Sequence, residues 1–298
     1  MQHAATIYAL LAFAFSFALS GRVAAQTSEN LATPSSSQAK PAENPALSYN
    51  LPVDLGVTIG SGTLALSLSL LSSKLAPEHC RWCDRDANGR DTLNGFDASI
   101  RDSLRWSNTK LANSLSNLSC YGIAPLISLG AVGLSAWKDG RAAELPVDGL
   151  IVAESVLVAM NVNQLTKLAF ARERPFVNAR TPAEREALRS SEDNVSYYSG
   201  HTSFAFSVAV AAGTVASMRR YKLAPWVWAS GLALGVATGY LRIAADRHYA
   251  TDVVSGAVIG SAVGFAIPYF GHRASPTSVR LAAMQVTGGS GLIAFGAF

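Results

Sequence analysis

Six apolar runs, near residues 55–73, 121–137, 147–171, 201–218, 224–243 and 253–270, carry prolines only near their ends and constrain this chain before any motif is read. Runs of that length are helices, because strands rarely exceed about 4–8 residues. Gly and Ala recur in the last three runs, which lets helix backbones approach closely. Charged residues make up 15% of the 298 positions, against roughly 25% in an average soluble domain. The expectation is an all-α bundle of about six core helices associated with a membrane. No internal repeat of fixed period is present.

One run fits a lipid-facing span poorly. Residues 147–171 hold Asp148, Glu154, Asn161, Asn163, Gln164 and Lys167, and a charge at mid-span costs roughly 2.5–3.5 kcal/mol. Parity adds a condition: if an exported start is followed by three crossings, the third helix ends in the cytoplasm. A site outside the cell then requires that one of the first three runs does not cross.

Three further segments complete the organisation. Residues 1–25 read as a secretory leader, with an apolar stretch from Ala4 to Leu19 and small residues ending at Ala25; an uncleaved anchor is the alternative. Residues 26–50, rich in Ser, Pro, Ala and Asn, read as a flexible linker, and 51–298 as one domain with its motifs between 140 and 272. Two short apolar runs around Gly288-Gly289-Ser290-Gly291 suggest a C-terminal β-hairpin. Of Cys80, Cys83 and Cys120, a local or loop-closing disulfide leaves one thiol over. Asp84, Asp86, Asn88 and Gly89 match the opening of a calcium loop. Position 12 of that loop is Gly95, so a polar turn fits better. Net charge is +4 without a basic run, which excludes a nucleic-acid partner.

Three clusters place cations and titratable groups at the edges of apolar helices. In KLAFARERP, Lys167 and Arg174 are seven apart and would share a face if helical, while Pro175 disfavours helix at Arg174. In YYSGHTSF, Ser199 suits an N-cap, Gly200 permits close backbone approach, and His201 falls in a first helical turn whose free N–H groups attract anions. In RIAADRHYATD, His248 and Asp252 are four apart on a helix expected to begin near Arg247, so the carboxylate can hold one imidazole nitrogen. Arg242 needs a chain break before His248 to face the same ligand. Any one of these could be structural, a snorkelling cation or a satisfied histidine. Together they describe a tetrahedral-oxyanion site in which Arg242, Arg174 and Lys167 supply charge. One imidazole can then act as nucleophile and the other as acid, and no metal or other cofactor is required.

The pattern K-x6-R-P, then S-G-H, then R-x5-H-x3-D resembles the type 2 phosphatidic acid phosphatase (PAP2) superfamily, which also contains class A acid phosphatases and vanadium haloperoxidases. The resemblance implies a helical bundle. It also implies His248 as a nucleophile forming a phosphohistidine, Asp252 as its orienter, His201 as general acid, and Lys167, Arg174, Ser199, Gly200 and Arg242 as phosphate holders. Tyr198 and Leu241 stand where the family usually has Pro and Ser. The expected partner is a phosphorylated lipid or small phosphate ester, with the protein exported to the envelope. A soluble acid phosphatase, a vanadate-dependent haloperoxidase and a silent binder of anionic headgroups are the alternatives.

Overall fold

A computed structural model describes residues 47–86, 88–273, 280–286 and 289–295. The leader at 1–25 and most of the linker at 26–50 lie outside the described residues. Among those described, eight helices have ten residues or more: α1 (Leu51–Leu70), α2 (Gly95–Leu104), α3 (Thr109–Leu118), α4 (Ala124–Lys138), α5 (Leu145–Phe170), α6 (Gly200–Met218), α7 (Ala224–Ala244) and α8 (Ala250–Ala266). The expected runs correspond to α1 and α4 to α8. The stretch between the first two runs contains α2 and α3 as well. Asn94 and Asn108 start these two helices, each accepting a backbone N–H three residues on. The π-helical turn Ser119–Ile123 then joins α3 to α4.

The axis of the bundle is α6, in which every residue from Ser207 to Ala216 is buried. It packs against α4, α5, α7 and α8, and its small side chains allow this. At Gly260 of α8 a Cβ would collide with the Ser203 carbonyl of α6, so only glycine permits that backbone contact. Val132, Ile151, Val152, Val208, Val215 and Val227 fill the core between these helices.

Six helical stretches are long and apolar enough to cross a membrane, α5 among them. Its polarity has a structural cause: the polar groups point into the bundle. Asp148 accepts from Arg219 Nε at 2.8 Å and Tyr221 Oη at 2.7 Å. Asn161 Nδ2 donates to the Ser61 carbonyl at 2.9 Å, and Asn163 Nδ2 to the Tyr198 carbonyl at 2.8 Å. Asp148, Asn161 and Asn163 are thereby each hydrogen-bonded inside the bundle, which offsets part of the cost of burying them. The outward faces instead show Ile59, Leu66 and Leu70 of α1, Trp226 and Val236 of α7, and Val254 and Val258 of α8. That surface is the surface of an integral membrane protein.

At the C-terminus β1 (Arg280–Val286) pairs antiparallel with β2 (Gly289–Phe295) in the hairpin the sequence suggested. Cys80 and Cys83 form a disulfide and Cys120 is a buried free thiol. Asp84 turns its carboxylate to Trp82 Nε1 and Arg172 Nε, at 2.8 and 3.0 Å, while Asp86 Oδ1 accepts the N–H groups of Asn88 and Arg90. These are the contacts of a polar turn.

Candidate active site

The first two cations reach the site by different routes. Lys167 lies in the last turn of α5, which ends at Phe170 because Ala171 adopts the left-handed conformation, φ 47°. Arg174 precedes Pro175 and is extended, φ −79° and ψ 153°, as a residue before proline must be. The two therefore do not share a helix face, contrary to the helical reading of their spacing. Arg174 is fixed by its own bonds, Nε to the Glu192 carbonyl at 2.7 Å and Nη1 to the Arg247 carbonyl at 3.1 Å. Burial, more than neighbouring Arg247, pulls its guanidinium down to about 10, still charged at neutral pH.

Ser199 is the N-cap of α6, its Oγ accepting from Thr202 N–H at 3.4 Å and lying 2.9 Å from Thr202 Oγ1. Capping holds this hydroxyl behind the pocket wall, so Ser199 is not among the lining residues expected to hold phosphate. Gly200 and His201 do line the pocket. A Cβ on Gly200 would stand 2.7 Å from Asn163 Oδ1 and 3.1 Å from Lys167 Nζ. Glycine is what lets the lysine ammonium approach the start of α6. His201 Nε2 donates to Asn117 Oδ1 at 2.8 Å, and its ring packs against Tyr121.

Arg242 is in the last turn of α7, with Nη1 donating to Asn113 Oδ1 at 2.8 Å and Ser116 Oγ at 2.9 Å. The break expected between Arg242 and His248 is the turn after Ala244. There Asp246 is left-handed, φ 56°, and is gripped by two bonds from Arg101 at 2.6 and 2.8 Å. α8 begins at Ala250, so His248 precedes the helix on which the sequence reading placed it. This changes how Asp252 acts. His248 Nδ1 donates to the Ser196 carbonyl at 2.8 Å, whereas Asp252 Oδ2 is 3.7 Å away, too far for a hydrogen bond. Asp252 Oδ2 accepts instead from Ser196 Oγ at 2.6 Å and from Tyr249 N–H at 3.0 Å. The carboxylate holds the residue that holds the imidazole.

Six of the eight residues singled out in the sequence, Lys167, Arg174, Gly200, His201, Arg242 and His248, line one cavity of about 220 Å³. Ser199 and Asp252 are buried behind it. The cavity also has Arg247 and a single carboxylate, Glu192, which accepts from Arg247 Nη1 at 2.6 Å. Burial opposes ionisation of Glu192, but Arg174 and Arg247 outweigh it and hold that carboxyl below its usual range. Burial first, then Arg174, Arg242 and Lys167, hold His248 well below the ordinary histidine value. Its imidazole is therefore neutral, with the Nε2 lone pair available. Four cations against one carboxylate suit an anion, not a metal ion.

The sequence reading missed the residues that support these groups. Asn113 and Asn117 are four apart on α3 and so share one face of LANSLSNL, a spacing that was a usable signal. Arg172 is completely buried and clamps Asp252 Oδ1 at 2.7 Å, Asp97 Oδ2 at 3.0 Å and Asp84 Oδ2 at 3.0 Å. Its guanidinium is sandwiched by Trp82 and Tyr249 at 4.1 and 4.2 Å. Burial alone would lower its pKa, but Asp252, Asp84 and Asp97 raise it.

Fold and site together describe a mostly α-helical membrane protein with a cation-lined pocket that carries two imidazoles at one end of the bundle. The PAP2 superfamily model matches residues 148–276. This stretch holds all eight residues of the motifs and is similar to that superfamily. A lipid A 1-phosphatase of Porphyromonas gingivalis is 39% identical over 69 residues, which are 23% of this chain and 15% of that protein's length. A transmembrane PAP2 type phosphatidylglycerolphosphate phosphatase from Bacillus subtilis superposes with a TM-score of 0.43 at 18% identity, over 70% of this chain and 95% of that one.

Proposed function

We propose that the protein is a phosphomonoesterase that cleaves a lipid phosphate through a phosphohistidine. The observation that carries this reading is the commitment of His248 Nδ1 to the Ser196 carbonyl, which leaves Nε2 as the nitrogen free to attack. Nε2 attacks phosphorus as the bond to the leaving oxygen breaks, and His201 delivers its proton to that oxygen. Water then attacks phosphorus, His201 takes its proton, and the P–N bond breaks to release phosphate. Lys167, Arg174 and Arg242 meet the charge that develops on the phosphoryl oxygens.

Cavity size and outer surface favour a lipid. A cavity of about 220 Å³ is smaller than the roughly 300–1,000 Å³ of sites that enclose a drug-sized ligand. It admits a phosphate and the first atoms of its leaving group, and leaves apolar chains to the bilayer against the helices. The stretch similar to a lipid A 1-phosphatase supports the same substrate class.

The pocket side carries the Cys80–Cys83 disulfide, which favours the oxidising, periplasmic side. With six crossings, residue 47 then lies in the cytoplasm.

The test is phosphate release by the detergent-purified chain, without added metal, from phosphatidate, undecaprenyl diphosphate and an aryl phosphate. Turnover of a lipid by wild type and its loss in His248→Ala are expected. Equal rates in the two proteins would overturn the assignment, and halide oxidation dependent on vanadate and peroxide would replace it.

A further inference from the structure

Three residues outside the motifs reach the pocket from α3 and the turn that follows it. Asn113, Asn117 and Tyr121 are four apart in sequence and all line the cavity, Tyr121 from the π-helical turn Ser119–Ile123. Asn113 Oδ1 is engaged by Arg242 Nη1 at 2.8 Å. The other two hold His201: Asn117 Oδ1 is 2.8 Å from Nε2, and the Tyr121 ring packs on the imidazole with centroids 4.9 Å apart. None of the three falls within residues 148–276, where the superfamily model matches. The grip on His201 therefore comes from a part of the chain that the motifs do not describe.

What this grip does follows from the chemistry of an amide. The side-chain oxygen of asparagine only accepts, and the group does not titrate. A general acid passes through the imidazolium state, in which both ring nitrogens carry hydrogen. An acceptor beside Nε2 suits that state and also the neutral one that follows. Nε2–H then stays in place through the cycle, and the mobile proton is the one on Nδ1. The two imidazoles of the pocket are thus committed through opposite nitrogens, His248 by Nδ1 to the Ser196 carbonyl and His201 by Nε2 to Asn117.

On the basis of the phosphohistidine reading, we infer that Asn117 is a positioning residue that makes Nδ1 the proton-transferring nitrogen of His201. In the first step Nδ1–H gives its proton to the leaving oxygen as the bond from that oxygen to phosphorus breaks and the P–N bond to His248 forms. In the second, Nδ1 takes a proton from the attacking water as the P–N bond breaks. Each turnover returns His201 to the imidazolium, with Nε2–H on Asn117 throughout.

The test compares wild type, Asn117→Leu and Asn117→Asp as full chains in detergent. The substrates are the lipid phosphate that wild type turns over, whose alkoxide needs a proton, and a nitrophenyl phosphate, whose phenolate leaves without one. In Asn117→Leu, kcat/KM for the lipid should fall about 10–100-fold relative to the aryl ester. For the aryl ester kcat and KM should fall together, because water attack still needs the base. Asn117→Asp keeps the acceptor oxygen and should restore the lipid-to-aryl ratio. A wild-type ratio in folded Asn117→Leu, or equal loss of kcat/KM on both substrates as a merely structural role would give, would overturn the inference. The phosphohistidine reading is judged separately by the loss of aryl turnover in His248→Ala. Should the leucine variant fail to fold, ring-nitrogen NMR of isotopically labelled wild type decides, with His201→Ala for assignment. Neutral His201 protonated on Nε2 is expected, and protonation on Nδ1 would contradict the assignment.

Discussion

Arg172→Met tests the support of the nucleophile most severely. The substitution removes a guanidinium shared by Asp84, Asp97 and Asp252, of which Asp97 and Asp252 are wholly buried. Breaking one side of a buried ion pair costs about 3–5 kcal/mol, and three carboxylates lose their shared cation here while keeping other hydrogen bonds, so the upper end is expected. At ~2–4 °C per kcal/mol for a domain of this size, melting should fall by about 10 °C or more. The catalytic effect is separate. Arg172 anchors Asp252, Asp252 anchors Ser196 Oγ, and the Ser196 carbonyl orients His248. A shift of about 1 Å at the nucleophile costs ~10²-fold. In steady-state assays below the variant's melting point, kcat should fall by about that factor while KM changes little, because no phosphate-binding side chain is lost. Arg172→Lys should fall between, since one ammonium cannot serve three carboxylates. Wild-type kcat in folded Arg172→Met would refute the chain of support.

Further outcomes follow from the same geometry. Because His248 in the folded protein stays neutral well below the ordinary histidine value, kcat/KM should not fall as pH drops through about 6.5. The unfolded chain does bind that proton, so this group's contribution to stability, complete above about 6.5, should shrink as pH falls below it; melting curves at several pH values check this. Gly200→Ala should push Asn163 and Lys167 apart and weaken inhibition by inorganic phosphate about tenfold, or ~1.4 kcal/mol, with a smaller effect on melting. Gly260→Ala forces α8 from α6 and should destabilise by about 1–3 kcal/mol. In sealed vesicles of known orientation, a cysteine at Lys222 should react with an impermeant thiol reagent on the face opposite one at Arg189. Labelling of both from one face would remove the six-crossing topology.

The helices were legible because a run of about twenty apolar residues has few other solutions, and the three motifs because their spacing survives in one dimension. Their local geometry was less so. Lys167 and Arg174 looked like one helix face until Ala171 turned left-handed, and His248 and Asp252 looked like a helical pair although the chain enters α8 two residues after His248. Those differences arise in single-residue dihedrals that periodicity does not report. Arg172 was hidden for another reason: Asp84, Asp97 and Asp252 are brought to it by tertiary folding, and nothing local distinguishes it from a solvated arginine. The polarity of 147–171 was visible but misleading, since its meaning depends on which face turns inward.

Rapid acid-free quenching of wild type during lipid-phosphate turnover, followed by peptide mapping under alkaline conditions, tests the central claim most directly. The account predicts an acid-labile phosphoryl group on the peptide that contains His248, absent from His248→Ala and accumulating when His201 is replaced and a good leaving group is supplied. Steady turnover with the phosphoryl group on another residue, or on none under conditions where wild-type breakdown is slowed, would contradict it.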